Sequence, residues 1–301
     1  MKELTTQVRE VARRLLENQA VDLILGWEKG PQPFRSNPAT VRSAADTERL
    51  VFDEFCISNL STYLLDYRDG HEKIGIFVKG CDSRGVVRLI EDNQFTRDRL
   101  YIIGIPCPGM KDPVAAAWYL SGLGGKPDSE GLAAKCRQCV YPNPVIYDEL
   151  LGSEQPPHLQ GERFSDVKRI ESMSLAERRD FFDEMFSRCI RCYACRQICV
   201  ACNCRKCIFD ETRPQWVGRE VNLADNWMYH LVRAMHVAGR CVECGECERA
   251  CPVGLPLMLL NRKLIKDINE LFGPYEASLK LEEGAKPPLS VYRPDDPDNF
   301  L

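Results

Sequence analysis

Cys189-Ile190-Arg191-Cys192-Tyr193-Ala194-Cys195-Arg196-Gln197-Ile198-Cys199 and Cys241-Val242-Glu243-Cys244-Gly245-Glu246-Cys247-Glu248-Arg249-Ala250-Cys251-Pro252 carry one spacing, C-x2-C-x2-C-x3-C, twice. A cubane 4Fe–4S cluster needs four thiolates at tetrahedral corners. Two-residue gaps let one tight loop wrap three of them around a single cube, and the fourth cysteine of such a run ligates the other cluster. The spacing therefore assigns Cys189, Cys192, Cys195 and Cys251 to one cluster, and Cys241, Cys244, Cys247 and Cys199 to a second. Pro252 fixes the chain direction after the last ligand and removes a donor there, whereas Val200 holds that place in the first run. The bland alternative is structural zinc, which takes four ligands in all, usually from two separated knuckles. Two complete four-cysteine runs exceed that need.

Outward from these runs, the composition is that of a globular chain long enough for two domains. Of 301 residues, 44% are apolar and 28% charged, and each domain could bury its own core. Forty basic against forty-four acidic residues, a net charge of −4, exclude nucleic acid as a main partner, since phosphate binding needs a concentrated basic surface. No apolar stretch approaches the roughly 20 residues that span a bilayer. The segment Met1 to Gln19 is amphipathic and charged, without an apolar signal core, so a cytoplasmic location is expected. Sixteen cysteines in that reducing compartment read as metal ligands rather than disulfides.

The first domain, residues 1–155, opens on a helix over 5–18, with Val8, Val11, Ala12, Leu15 and Leu16 at helical spacing. Ile74 to Val78 is a buried strand, Gly85 to Glu91 a helix and Leu100 to Ile105 a second strand, the pattern of a βαβ crossover with parallel strands. Gly152 to Gly161, with Pro156-Pro157, reads as a linker. The second domain, 156–275, holds the cysteine runs. Ser174 and Glu177 form a capping box for a helix that leads into Cys189, and Leu255 to Leu271 is a helix packed over the cluster module. Residues 276–301, rich in proline, form an extended tail. The fold class is thus an α/β N-terminal domain with a small, mostly parallel sheet, followed by a mainly α, ferredoxin-like dicluster domain.

The 41 residues between the runs, Val200 to Arg240, must form their own structure. They start with Cys202-Asn203-Cys204-Arg205-Lys206-Cys207, and several readings compete. Cys202 replaces Cys199 as the exchanged ligand; the group binds zinc; it holds a further cluster with Cys56 as fourth ligand; or the thiols are free. His230, Arg233 and His236 fall on one face of a helix ending at Gly239. Histidines there can tune a cluster through N–H···S bonds, and the reading adopted is that they cap or pack.

In the first domain, Cys81 and Cys107 follow the two strands, and parallel strands deliver their carboxyl ends to one edge, where ligands of α/β proteins collect. Cys136 and Cys139 complete four candidate ligands for a third cluster, with buried unreactive cysteines as the alternative. Gly80 to Gly85 reads as a strand-to-helix turn whose amides favour an anion, with Arg84 as a fork for phosphate. A flavin pyrophosphate, as in FAD, would suit it. Gly122 to Lys126 follows a helix and reads as a helix stop. No Ser–His–Asp group, paired carboxylates or P-loop appears, so hydrolysis and phosphoryl transfer lack support.

The stretches Lys73 to Arg88, Leu100 to Met110 and Cys136 to Cys139 resemble the β-subunit family of deazaflavin-coenzyme-reducing hydrogenases and formate dehydrogenases. That resemblance implies a cluster beside a flavin, held by a cysteine after each of two strands and a C-x2-C pair, here Cys81, Cys107, Cys136 and Cys139. Family members place ferredoxin cysteines before this domain; here they follow it. That order is similar to iron–sulfur subunits of heterodisulfide-reductase-like, electron-bifurcating complexes. The expectation is an iron–sulfur electron-transfer subunit that relays electrons to a partner subunit carrying a flavin or a metal site. A flavin-containing dehydrogenase that itself exchanges hydride with a flavin, deazaflavin or nicotinamide carrier is the alternative.

Overall fold

Ile-Gly-Ile-Phe-Val, residues 74–78, is buried at all five positions, as expected of a central strand covered on both faces. The computed structural model describes residues 1–123, 131–159, 161–282, 284, 286–291 and 294. The chain divides into two units: Met1–Gly161 with Leu279–Leu281, and Glu162–Ser278 with the described residues after 281.

In the first unit, α1 (Lys2–Glu17) buries Val8, Val11, Ala12 and Leu15, the stripe its periodicity predicts. The strands β1 (Leu23–Lys29) and β2 (Ser36–Val41) form an antiparallel pair with Trp27 opposite Pro38. Next come β3 (Ile74–Val78), α2 (Gly80–Glu91), β4 (Leu100–Gly104), α3 (Pro113–Leu120), α4 (Ala134–Arg137) and β5 (Glu149–Leu150). The sheet order is β2-β1-β3-β4-β5, and every pairing except β1 with β2 is parallel. The expected crossover is present, with Ile76 opposite Ile102. The sheet is wider than periodicity suggested. The apolar run opening β1 is short, and β5 is two residues long, held by its pairing with β4.

Helix α2 starts at Gly80, earlier than the expected Gly85. The Asp82 carboxylate accepts the Lys79 backbone N–H at 2.9 Å and also takes the Leu60 N–H, so this helix start is capped by its own acidic residue. The segment read as a linker is tied down as well. Asn143 and Gln155 exchange two hydrogen bonds of 2.9 Å, and His158 bonds to the carbonyls of Cys107 (2.8 Å, from Nε2) and Cys139 (2.9 Å, from its backbone).

The second unit is helical: α5 (Ser165–Glu171), α6 (Leu175–Ser187), α7 (Ala194–Gln197), α8 (Leu223–His236), α9 (Glu246–Arg249) and α10 (Met258–Leu271). The Ser174/Glu177 capping box forms as expected. Helix α8, from the insert, packs against α6 and α10, and Phe186 meets Trp227 at 4.7 Å and His230 at 4.8 Å, centroid to centroid. Of the glycine loop, Gly122 (φ +73°) follows α3 as a helix stop; residues 124–130 lie outside the described residues. Much of the C-terminal tail does too.

Candidate metal centres

The two cysteine runs fold alike. The third and fifth residues of each, Arg191 and Tyr193, then Glu243 and Gly245, all have positive φ, between 48° and 68°. A short helix, α7 or α9, follows each fifth residue. These two left-handed residues turn each C-x2-C-x2-C stretch back on itself in a tight coil. Glycine takes such a conformation at no steric cost. Tyr193 takes it at a cost of about 1 kcal/mol or more, and its ring packs against Tyr229 at 5.1 Å and under the Arg196 guanidinium at 4.8 Å.

Cys241, Cys244 and Cys247 line a small pocket, and the fourth cysteine on its wall is Cys199 of the other run. Met258 and Asn261 from α10 complete it, and the Asn261 amide Nδ2 lies 3.7 Å from Cys247 Sγ. The surrounding protein pushes the Cys241 and Cys247 thiols up to about 12, as burial does to any group whose ionised form lacks a partner. A metal core reverses that penalty by giving the thiolates a counter-charge.

The partner quartet assembles the same way. Cys189 interacts electrostatically with Cys195, Cys251 and Cys192. Cys192 is exposed, while Cys189 and Cys195 are buried. Donors surround these sulfurs: Arg191 N–H to Cys189 Sγ at 3.3 Å and Leu255 N–H to Cys251 Sγ at 3.3 Å. His230 Nε2 lies 3.2 Å from Cys189 Sγ, and the Tyr229 hydroxyl 3.2 Å from Cys195 Sγ. Opposite a thiolate, Nε2 must carry the imidazole proton, which leaves Nδ1 bare; Nδ1 is buried without a hydrogen-bond partner, consistent with that tautomer. Burial, with Arg233 adding to it, holds His230 down at about 4, so the ring is neutral at pH 7. His230 packs on Phe186, as the sequence reading had it, and also brings Nε2 within hydrogen-bond distance of a sulfur. Tyr229 went unnoticed, because a tyrosine beside a histidine carries no metal-site pattern.

The insert cysteines separate. Cys202 and Cys199 interact through their side chains, which lowers the Cys199 thiol and raises that of Cys202. Cys207 sits by Arg196, and Cys204 is exposed. Cys56 belongs to the first unit, where its sulfur bonds within its own turn, accepting from Asp53 N–H at 3.3 Å and facing Val51 O at 3.7 Å. Among the described residues no three Cys, His, Asp or Glu side chains gather closely enough around one point to hold a single metal ion.

In the first unit, Cys107 interacts with Cys136 and Cys81, and Cys81 with Cys139, so the four cysteines meet at the carboxyl edge of β3 and β4. Gly80 makes this meeting sterically feasible. A Cβ there would fall 2.0 Å from Tyr141 O and 2.7 Å from Pro142 C, so only glycine lets the Cys136–Pro142 strip lie against the start of α2. The Pro142 carbonyl accepts from Gly80 N–H (3.3 Å) and Cys107 N–H (3.1 Å), and Met110 N–H points at Cys136 Sγ (3.4 Å). Lys79, only 1% exposed, bonds to Asp82 (2.9 Å) and Ser58 O (3.1 Å), lies 3.9 Å from the Trp27 ring centroid, and acts on both Cys81 and Cys107. A lysine ending an apolar strand gives no hint of such burial in sequence. Arg84 is 3% exposed with its guanidinium 4.7 Å from the Tyr141 ring centroid. It faces the cysteine strip, and Asp82 already occupies the helix start where a phosphate was expected.

Paired four-cysteine loops, wrapped by N–H donors and joined to an α/β sheet domain, define an iron–sulfur electron-transfer subunit. Residues 184–256 match the model of the 4Fe-4S dicluster domain, a span that contains both runs. The chain is 20% identical to the F420-dependent formate dehydrogenase subunit beta of Methanocaldococcus jannaschii, across 88% of this chain and 90% of that protein. It is also 28% identical to the F420-dependent formate dehydrogenase 1 subunit beta of Methanococcus maripaludis, over 36% of this chain and 28% of that one. The chain is therefore a distant homologue of these beta subunits that carries a dicluster 4Fe–4S domain, and it serves as an iron–sulfur subunit of an oxidoreductase complex. Among the described residues no helix is long and apolar enough to cross a membrane.

Proposed function

We propose that this chain relays electrons through three 4Fe–4S clusters to a partner subunit bearing a flavin or a metal centre. Cys189, Cys192, Cys195 and Cys251 would hold one cluster, Cys241, Cys244, Cys247 and Cys199 the second, and Cys81, Cys107, Cys136 and Cys139 the third. Each cluster, when bound, takes up and releases one electron at a time. The chain's own groups set how readily. Backbone and side-chain N–H donors on the sulfurs stabilise negative charge, and burial opposes it. His230, Tyr229 and Asn261 do this in the second unit, and Lys79 supplies a buried positive charge in the first.

The observation that carries the proposal is the cavity shared by Cys199 with Cys241, Cys244 and Cys247: the last cysteine of one run sits with the first three of the other, as crossed ligation requires. Two complete four-cysteine runs support cubanes over zinc, which takes four ligands in all. The relatives' names point to formate dehydrogenation with F420 as the class of complex served. The alternative, hydride exchange at a flavin held by Arg84, gains less support, since Arg84 is buried against Tyr141. Iron and sulfide analysis with EPR on anaerobically purified protein tests the proposal. About twelve irons per chain are expected, four per cubane; about eight would remove the third site, and fewer would reject the dicluster core.

A further inference from the structure

Arg233, on α8, is 4% exposed. One other buried arginine, Arg84, lies against the Tyr141 ring, and three answer to carboxylates: Arg88 to Glu91 and Asp92, Arg262 to Asp166 and Glu243, and Arg191 to Asp225. Arg233 does not. Its Nη2 donates to the Cys195 carbonyl at 3.3 Å, and its buried Nε has no hydrogen-bond partner. The groups acting on it most strongly are Cys247, Cys199, Cys195 and Cys202. Cys195 belongs to the first quartet, and Cys199 and Cys247 belong to the second.

A guanidinium stays charged at any physiological pH. Buried without an anion, it carries a penalty of several kcal/mol. With clusters bound, the thiolate sulfurs of both quartets would supply the negative charge that it otherwise lacks. We infer that Arg233 is a shared electrostatic tie between the two cluster sites, a positioning residue that raises the electron affinity of both and weakens their mutual repulsion. The inference rests on the dicluster reading. Every electron taken up by either site adds negative charge near the same fixed cation, so one side chain favours reduction at both. Helix α8 lies in the insert between the runs, so the insert's role is to carry this charge, with His230 and Tyr229, to the centre of the module.

The test is an EPR-monitored redox titration of the full chain, with iron content measured in parallel, for the parent and the variants Arg233→Gln, Arg233→Lys and Arg219→Gln, the last an exposed control. Arg233→Gln should lower the equilibrium constant for reduction at least tenfold at both sites, which is 59 mV per tenfold for a one-electron couple. Arg233→Lys and Arg219→Gln should stay within threefold of the parent. Full iron in Arg233→Gln with both sites within threefold of the parent overturns the inference, as does a shift confined to one site. If Arg233→Gln takes up no iron, full iron in Arg233→Lys supports a requirement for charge, and loss of iron there too overturns it. Absence of clusters in the parent would instead reject the dicluster reading itself.

Discussion

Gly80→Ala tests the first-unit site through its backbone alone. The added methyl would sit 2.0 Å from Tyr141 O, 2.7 Å from Pro142 C and 2.9 Å from Pro142 O. These obstacles are main chain, so no rotamer change relieves them. Ordinary contact starts near 3.4 Å, and the strip must therefore retreat by about 1.4 Å. Doing so weakens two hydrogen bonds to Pro142 O, from Gly80 and Cys107, each worth about 0.5–1.5 kcal/mol. Alanine in a helix returns about 0.5–1 kcal/mol. The net loss is about 1–2 kcal/mol, which for a unit of this size lowers Tm by roughly 2–8 °C. The effect on metal should be larger than the effect on stability. Cys139 precedes Tyr141 by two residues and moves with it, and misplacing one of four corners removes the cluster. Iron analysis should show a loss of about four irons per chain, while the EPR signals of the dicluster unit persist. A variant with the parent's iron content and a Tm within about 1 °C would refute the claim that this glycine permits the site to form.

Two further substitutions address the second unit. Cys199→Ser should cost about four irons per chain, the content of one cubane, and Cys202→Ser none; the reverse result would make Cys202 the exchanged ligand, and iron analysis with EPR reads the difference. His230→Phe keeps the stack on Phe186 but deletes the N–H aimed at Cys189. A hydrogen bond to a charged acceptor is worth about 1.5–3 kcal/mol, and about half of that discriminating between redox states would make reduction of the first cluster about tenfold harder. An unchanged midpoint potential with full iron would show that the ring only packs.

Much of this protein was legible as spacing. The repeat C-x2-C-x2-C-x3-C dictated paired loops because two-residue gaps leave a chain few ways to aim three sulfurs inward, and the Ser174/Glu177 box placed a helix start from local hydrogen-bonding alone. The βαβ crossover followed from Ile74 to Val78 and Leu100 to Ile105 as continuous apolar runs. Flanking strands escaped because β5 is two residues long and exists only through its neighbour. Helix α2 begins at Gly80 and not at Gly85 because Asp82, two residues on, caps it by accepting the Lys79 backbone N–H.

By itself, then, the sequence determined the paired four-cysteine loops and the succession of a sheet region and a helical cluster region, since both depend on short-range spacing and periodicity. The tertiary structure decided what surrounds the sulfurs. Tyr229, His230 and Arg233 lie thirty or more residues past the end of the first run, and Lys79 reads as an ordinary surface charge until Trp27, Ser58 and Asp82 close around it. Hydrogen bonds and fixed charges act over a few ångströms in space and take no account of distance along the chain, so no local pattern could have placed them.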